Sequence, residues 1–230
     1  MNYPFPMTAT EMHEANTRDG FHFADEVLVF HQPGSPQAES IATLRSHLLA
    51  QHIGHGRRSL AICAADGGAG NSFLATNLAT AFAMAGVNTL LIDGNMRQPA
   101  LQEWVVTDES GKGLCEYLDN PELRLSDCIQ NAVLPNLSVL YAGQPTNHVP
   151  ELIAGHRFAE AMDDCMRSYD LTIVDTPPLN QASDVRRIAA TLRYALVVAR
   201  KDASSVSDMR RLCDELRADR AKVIGSFLNV

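Results

Sequence analysis

The sequence predicts a doubly wound α/β fold, in which a mostly parallel sheet carries helices on both faces. Short continuous apolar runs, typical of strands buried on both faces, alternate along the chain with longer segments of helical periodicity. A strand–helix–strand order repeated in this way favours a parallel sheet between two layers of helices. The chain has 230 residues, of which 46% are hydrophobic, so we expect one large domain with a substantial core.

The individual elements follow from these patterns. Apolar runs predict strands at 59–64, 89–93, 137–141, 171–175, 195–199 and 223–228. Helical spacing predicts helices at 35–54, 71–85, 150–168, 184–192 and 204–217. Residues 1–34 have no sustained periodicity and include the break Pro33-Gly34. We interpret them as an N-terminal arm, ordered or disordered, and place the domain at 35–230.

Composition and charge argue against several classes of function. The formal net charge is −8 and the basic residues are scattered, which argues against a nucleic-acid partner. No apolar stretch approaches the roughly 20 residues needed to cross a bilayer. Residues 1–20 also lack the basic-then-apolar order of a signal peptide. We therefore expect a cytoplasmic protein without a membrane span of its own.

A glycine-rich segment at 65–72 carries the first chemical signal. Its sequence, A-D-G-G-A-G-N-S, follows a predicted strand and opens a predicted helix, the context in which backbone N–H groups bind phosphate. Against the pattern G-x-x-x-x-G-K-[ST], alanine replaces the first glycine and asparagine replaces the lysine. On this segment alone, a glycine-rich turn without a ligand is an equal alternative. The candidate phosphate-binding residues are Asp66, Gly67, Gly68, Ala69, Gly70, Asn71, Ser72 and Phe73.

Two aspartates stand at the ends of predicted core strands. Asp93 and Asp175 each close an apolar run, at the strand ends where open α/β sheets bind ligands. Two such carboxylates, with the Ser72 hydroxyl, are suitable ligands for Mg²⁺ beside a phosphate loop. Either aspartate alone could instead cap the turn that follows it. We interpret the pair, next to the loop, as a magnesium–nucleotide site.

Three motifs together indicate a family. They are the glycine-rich loop, the sequence L-I-D-G-N-M-R-Q-P at 91–99 and V-D-T-P-P at 174–178. This set resembles the bacterial tyrosine kinase family of capsule and exopolysaccharide systems, over residues 35–230. The resemblance implies a P-loop NTPase fold of the MinD/ParA-like superfamily. It further implies a cytoplasmic domain, peripheral to the inner membrane, that binds Mg-ATP and works with the cytoplasmic segment of a membrane polysaccharide co-polymerase that sets chain length.

The resemblance also assigns roles to residues. Asp93 would lie close to Mg²⁺ and to the tyrosine being phosphorylated, and Asp175 would be a metal ligand. Asn95 occupies the second acidic position of the loop that follows Asp93. Asn229 would lie near adenine. An active enzyme would therefore depend on Asp93, on Asn95 and on a cation, for which Arg97 is the nearest candidate.

The sequence departs from the family pattern where charge is needed. Asn71 keeps a hydrogen-bond donor but has neither the charge nor the reach of lysine. Losing one or two charge-assisted hydrogen bonds, at about 1.5–3 kcal/mol each, would weaken nucleotide binding. Asn95 removes a second carboxylate. Ala42 interrupts the glutamate–arginine–arginine helix motif that the family uses for self-association. The sequence therefore does not decide whether the chain forms a homo-oligomer.

Three functions remain open from the sequence. The leading interpretation is a tyrosine-kinase-like P-loop protein, catalytically weakened or inactive, that regulates exopolysaccharide synthesis or export as a scaffold for the co-polymerase. It would bind Mg-ATP or Mg-ADP weakly or not at all. The first alternative is a working ATP-dependent tyrosine autokinase, with Arg97 or a partner residue supplying the cation. A ParA/MinD-like ATPase is more distant, since such proteins usually carry a second loop lysine where this chain has Asp66.

Overall fold

The computed structural model describes residues 18–107 and 111–230. Its strands are β1 (Phe21–Phe23), β2 (Ser59–Ala64), β3 (Thr89–Asp93), β4 (Val105–Thr107), β5 (Gln130–Leu134), β6 (Leu137–Leu140), β7 (Leu171–Asp175), β8 (Tyr194–Arg200) and β9 (Lys222–Asn229). Its α-helices are α1 (Leu28–His31), α2 (Pro36–Gln51), α3 (Asn71–Met84), α4 (Leu101–Trp104), α5 (Leu114–Asp119), α6 (Val149–Ala154), α7 (His156–Ser168), α8 (Asp184–Leu192) and α9 (Val206–Ala218). None of the helices in this part of the chain is both long enough and apolar enough to span a bilayer.

Seven strands form one sheet, in the order β5-β6-β3-β7-β2-β8-β9. Neighbouring strands run parallel, except that β5 pairs antiparallel with β6 at one edge. β2, β3 and β7 lie in the middle and are buried along their whole length. Burial on both faces explains why each reads as a continuous apolar run. The predicted mostly parallel α/β sheet is confirmed.

Helices cover both faces of the sheet, each over its own apolar core. On one face, α2 and α3 bury Ile41, Leu74 and Phe82 against the strands. On the other face, α7 and α8 bury Phe158 and Ile188. Each large apolar side chain stabilises the fold by about 1.5–3 kcal/mol when it is fully buried. The two cores therefore hold the central strands, and the loops at their ends, in fixed positions.

The helix predicted for 150–168 is two helices. Gly155 is extended, with φ −66° and ψ 154°, and separates α6 from α7. Its N–H caps the carbonyls of Glu151 and Leu152. Glycine has the weakest helix propensity after proline, so the helix ends there although the apolar pattern continues beyond it.

The predicted N-terminal arm differs from the structure in its second half. β1 pairs antiparallel with β4, and Phe21 is fully buried. Asn77 of α3 hydrogen-bonds to the backbone at 26 and 29, which fixes α1 against the domain. The break at Pro33-Gly34 is therefore a turn within the folded unit and not its boundary. Elements of three and four residues are too short to show a periodicity. Residues 1–17 lie outside the described residues.

The carboxyl ends of the central strands meet at one edge of the sheet. Asp93 and Asp175 are register partners across β3 and β7, and Asp175 is also paired with Ile62 of β2. The glycine-rich segment follows β2 at this edge, and α3 begins directly after it. Parallel sheets bind their ligands at such an edge. The topology therefore brings the three predicted motifs together.

Candidate nucleotide-binding site

A cleft of about 590 Å³ opens over the glycine-rich segment. Its volume lies within the range of small-molecule sites. The whole of residues 66–73 lines it, as do Asn95, Gln98, Ala100, Glu103, Trp104, Thr176, Pro178, Gln181, Arg200, Asn229 and Val230. All eight residues predicted to bind phosphate therefore lie in one cleft, together with Asn95 and Asn229.

The loop itself has the geometry of a phosphate cradle. Gly68 and Gly70 have φ of 74° and 100°, a left-handed conformation that only glycine adopts without strain. A Cβ on Gly67 would lie 2.6 Å from Nε2 of Gln181, so the neighbouring chain approaches the loop closely. No described residue accepts a hydrogen bond from the N–H groups between Gly67 and Ser72. The loop thus presents free amide donors at the start of α3, as anion binding requires.

Asn71, at the lysine position, is held by a structural hydrogen bond. Its Nδ2 donates to the carbonyl of Thr176 at 3.0 Å, which ties the start of α3 to the segment after β7. Its Oδ1 is buried and has no hydrogen-bond partner among the described residues. Asn71 therefore brings no charge into the cleft, and one N–H of its amide is used for the bond to Thr176.

Ser72 and Asp175 lie in contact where a metal ion would be held. The Ser72 hydroxyl donates to Oδ2 of Asp175 at 2.5 Å. Burial, with a smaller contribution from the charge of Asp93, raises the pKa of the Asp175 carboxyl to about 8. Oδ1 of Asp175 is buried without a partner among the described residues. An unsatisfied carboxylate oxygen beside a hydroxyl fits a hard cation such as Mg²⁺.

Within the described residues, no group of three or more His, Cys, Asp or Glu side chains could hold a metal ion. Ser72 and Asp175 would therefore supply only part of a coordination shell. Mg²⁺ commonly keeps waters and substrate phosphate oxygens as its other ligands. The donor set fits a magnesium ion that arrives with a nucleotide and does not fit an all-protein metal site.

Asp93 lies beneath the following loop and not on the cleft wall. It is fully buried. Oδ1 accepts the N–H of Asn95 at 3.0 Å, and Oδ2 accepts those of Ala100 and Leu101 at 2.9 and 3.0 Å. Burial raises the pKa of this carboxyl to about 6, while the three backbone hydrogen bonds act in the opposite direction. In this structure Asp93 shapes the loop, which matches the capping alternative; its catalytic and metal roles stay predictions.

The two other predicted catalytic residues have different positions. Asn95 lines the cleft, and its Oδ1 accepts the N–H of Gln98 at 3.3 Å. Arg97 does not line it. Its guanidinium binds both oxygens of Asp184 at the start of α8, at 2.7 and 3.3 Å. Arg97 is therefore committed to a buried carboxylate instead of the phosphate loop.

Asn229 contacts the loop directly. Its Nδ2 donates to the carbonyl of Ala69 at 3.2 Å, and a Cβ on Gly70 would collide with this amide. Asp66, at the other end of the loop, accepts a hydrogen bond from Nδ2 of Asn180 at 3.2 Å. Asn229 thus fixes the loop backbone, and its predicted place near adenine stays a prediction.

Arg200 and Trp104 are two of the cleft residues that the sequence reasoning did not include in the site. Arg200 ends β8, and its Nη1 lies 3.4 Å from the carbonyl oxygen of Gly68. The logic that selected the strand-end aspartates, applied to the apolar run of β8, would have found it. Trp104 lies edge-on to Phe73, with ring centroids 6.0 Å apart. No sequence pattern pointed to Trp104, because α4 is a single turn in an irregular segment.

The fold and the loop define a P-loop nucleotide-binding class of protein. Residues 57–219 match the family model described as an AAA domain. The cell division ATPase MinD of Pyrococcus furiosus has the same fold, with a TM-score of 0.66 and 21% identity over 75% of this chain and 71% of that one. This class suggests nucleotide binding.

More similar proteins narrow the class to a family. The putative tyrosine-protein kinase CapB of Staphylococcus aureus is 30% identical over 201 residues, which cover 87% of each chain. The putative tyrosine-protein kinase EpsB of Ralstonia solanacearum is 29% identical over 86% of this chain, but the match spans only 26% of EpsB. The kinase domain of Escherichia coli tyrosine kinase ETK superposes with a TM-score of 0.81 and 25% identity, covering 97% of this chain and 87% of that one. The chain belongs to the bacterial tyrosine kinase family, as its motifs indicated.

Proposed function

We propose that this chain is a catalytically weakened or inactive bacterial tyrosine kinase that regulates exopolysaccharide synthesis or export. It would bind nucleotide weakly and act in the cytoplasm as a scaffold for the cytoplasmic segment of a membrane co-polymerase, which holds it at the inner membrane. The observation that carries this proposal is the use of the catalytic positions for structural hydrogen bonds. The Nδ2 of Asn71 and both carboxylate oxygens of Asp93 make hydrogen bonds to the backbone.

The cation at the lysine position matters more for the transition state than for binding. A positioned cation at a transferring phosphoryl group accounts for about 10³ to 10⁵ in rate in related systems. Asn71 supplies no cation, and one N–H of its amide donates to Thr176. The cleft walls also carry the carboxylates of Asp66 and Glu103, which repel phosphate. These charges support slow transfer and weak binding.

Activation of an acceptor hydroxyl needs a base within hydrogen-bond reach. Asp93 accepts three backbone N–H groups and is not part of the cleft wall. Asn95 lines the cleft but has no proton-accepting charge. The second requirement of the reaction is thus as poorly met as the first, which supports loss of the transfer step.

The features that hold a nucleotide are better preserved. Free N–H groups from Gly67 to Ser72 would bind phosphate oxygens, and Ser72 with Asp175 would hold the accompanying Mg²⁺. When bound, that ion would neutralise phosphate charge and favour the ionised form of Asp175. Binding without efficient transfer is the behaviour of a nucleotide-responsive scaffold.

An autophosphorylation assay tests the loss of catalysis. Purified protein with Mg²⁺ and radiolabelled ATP should give phosphotyrosine at least about 10³-fold more slowly than the Asn71→Lys, Asn95→Asp double variant. An Asp175→Asn variant controls for a contaminating kinase. Equal rates in the wild type and the double variant, both abolished by Asp175→Asn, would sink the proposal.

The scaffold role is tested in cells that lack the chain. Both the wild type and the Asp175→Asn variant should restore the amount and length of exopolysaccharide, because a scaffold needs no phosphoryl transfer. Restoration by the wild type alone, with equal amounts of folded protein and equal binding of Mg-ADP by both proteins, would mean that phosphoryl transfer is required.

A working autokinase is the second candidate, and the retained Ser72–Asp175 contact favours it. A partner residue would then supply the cation, since Arg97 is bound to Asp184. A phosphotyrosine assay with Mg-ATP, with and without the cytoplasmic segment of the co-polymerase, separates the two. Phosphotyrosine formation that appears only with the segment present would favour the autokinase.

A further inference from the structure

The cleft contains a cation that lies outside the three sequence motifs at 65–72, 91–99 and 174–178. Among the described residues that line it, Arg200 is the one with a positive charge. The three lysines of the chain, Lys112, Lys201 and Lys222, do not line it. Among the described residues, Arg200 is therefore the positive side chain placed to meet a phosphate in the cleft.

Two adjacent strand ends hold the loop together. Arg200 of β8 and Asn229 of β9 are register partners. Nη1 of Arg200 donates to the carbonyl of Gly68 at 3.4 Å, and Nδ2 of Asn229 donates to the next carbonyl, that of Ala69, at 3.2 Å. The backbone N–H of Arg200 is itself fixed by the Ser204 hydroxyl at 2.9 Å. The ordered end of β8 thus places the guanidinium of Arg200 beside the phosphate loop, against the carbonyl of Gly68.

The charge of Arg200 is unused in the structure. No ion pair within the described residues involves it, and its one acceptor is a neutral carbonyl at a long distance. Arg97, by contrast, makes two bonds to a carboxylate. Hydrogen bonds from a guanidinium to an ionised oxygen are shorter and about twice as strong as those to a neutral one. Arg200 therefore has much to gain from an arriving phosphate.

Asn71 cannot take this part. It carries no positive charge, one N–H of its Nδ2 is bound to Thr176, and its Oδ1 is a buried acceptor without a partner among the described residues. Exchanging the two amide atoms would set Oδ1 against the Thr176 carbonyl, so the network fixes the orientation. The lysine position is structural here, and a cation has to come from elsewhere.

We propose that Arg200 is the phosphate-binding cation of this site and that Asn71 is a strut between α3 and the segment after β7. The ligand class is a nucleoside diphosphate or triphosphate, so the inference rests on the proposed nucleotide binding. Arg200 approaches from the β8 side of the loop and not from the start of α3. It therefore supports binding of the phosphates without restoring the lysine at its usual place.

Calorimetric titration of the full chain with Mg-ADP tests the role of Arg200. Arg200→Gln should weaken binding by about 10- to 100-fold, the loss expected for one or two charge-assisted hydrogen bonds. The affinity of Arg200→Lys for Mg-ADP should lie between those of the wild type and Arg200→Gln. The matched control is Lys201→Gln, which removes the same charge from the adjacent, exposed residue and should change the affinity by less than about 2-fold.

A second measurement separates phosphate binding from loop support. Adding Asn71→Lys to Arg200→Gln should recover about 10-fold or more of the lost affinity, because one cation replaces another. A residue that only braced the loop would not be rescued in this way. Melting temperatures of all variants without nucleotide should agree within a few degrees.

The outcomes are distinct. If the wild type shows no binding of Mg-ADP up to millimolar concentrations, the proposed nucleotide binding fails, and this inference fails with it. If the wild type binds and Arg200→Gln binds equally well, the inference alone is wrong. Weak binding by Arg200→Gln that Asn71→Lys does not rescue would also overturn it, since Arg200 would then be a support for the loop.

Discussion

The two halves of the cleft differ in how much of their chemistry they keep. In the half formed by the glycine-rich loop and β7, free amides, Ser72 and Asp175 retain a geometry suited to a magnesium nucleotide. In the half formed by the segment after β3, Asp93 is buried under its own loop and Arg97 is paired with Asp184. One half suits holding phosphate, whereas in the other half the residues predicted to take part in transfer make structural contacts. Under the proposed function, binding and transfer would depend on separable sets of residues.

The largest expected effect is a loss of stability when the loop after β3 loses the support of Asp93. Asp93→Ala leaves the N–H groups of Asn95, Ala100 and Leu101 without their acceptor, and unpaired buried groups each destabilise by about 1–3 kcal/mol. We expect a loss of about 3–5 kcal/mol in the free energy of unfolding, measured with urea. The matched control is Asn95→Ala, which removes one long hydrogen bond and should change stability by less than about 1 kcal/mol. A stable Asp93→Ala protein would mean that Asp93 does not support its loop.

The next prediction concerns the half formed by the glycine-rich loop and β7, where Asp175 should make the stability of the protein depend on pH. Burial raises the pKa of Asp175 to about 8, against about 3.9 in an unfolded chain. Its protonated form is therefore favoured by folding. This contribution is fully present below about pH 4 and is lost as the pH rises through about 8. Relative to Asp175→Asn, which does not titrate, the wild type should lose stability on the order of a few kcal/mol between about pH 4 and 8.

Thermal unfolding of both proteins across this range checks that prediction. The difference between the two is the informative quantity, because Asp93, with a pKa raised to about 6, and the surface carboxylates titrate in each. A difference independent of pH, or one that grows in favour of the wild type, would contradict it.

A smaller effect concerns the backbone of the loop. Gly70→Ala introduces a Cβ at a φ of 100°, against the Asn229 amide, and such strain destabilises by about 1–3 kcal/mol. Mg-ADP binding should fall with it, because the amide donors of the loop move. Gly34→Ala is the matched control, since a Cβ added there would meet nothing within 4 Å and the φ of Gly34 is not left-handed. Equal behaviour of the two variants would show that the loop tolerates another backbone.

The smallest effect is that of Asn71→Ala. It removes the bond to Thr176 but also the unsatisfied Oδ1, so the net change in stability should be about 1 kcal/mol or less. The affinity for Mg-ADP should stay within about 2-fold of the wild type, because Asn71 has no positive charge to bind phosphate and its amide is held by Thr176. Calorimetry that showed a loss as large as that of Arg200→Gln would place Asn71 among the binding residues.

Sequence periodicity predicted the central sheet well, for a physical reason. Strands buried on both faces have to be apolar throughout, so β2, β3 and β7 match their predicted bounds. The peripheral elements have no such constraint. β1 and β4 have three residues each, and β5 is an edge strand with one exposed end, so none carries a readable pattern. Gly155 divides a helix whose apolar spacing gave no sign of a break.

The site was predicted as a set of neighbours but not as a set of roles. Strand-end position placed Asp93 and Asp175 side by side, as the register confirms. It could not tell that Asp175 contacts the Ser72 hydroxyl whereas Asp93 caps its own loop, because that depends on which backbone amides fold back. For the same reason sequence proximity favoured Arg97, whereas the cation at the loop comes from Arg200, far along the chain at the end of β8.

Trp104 has a practical consequence. It is the one tryptophan of the chain, and it lies on the cleft wall beside Phe73. Ultraviolet emission from this protein therefore originates next to the proposed ligand, without any dye or label. A bound base or phosphate that alters the polarity around the indole would change the wavelength or intensity of that emission. The cleft thus carries its own optical reporter.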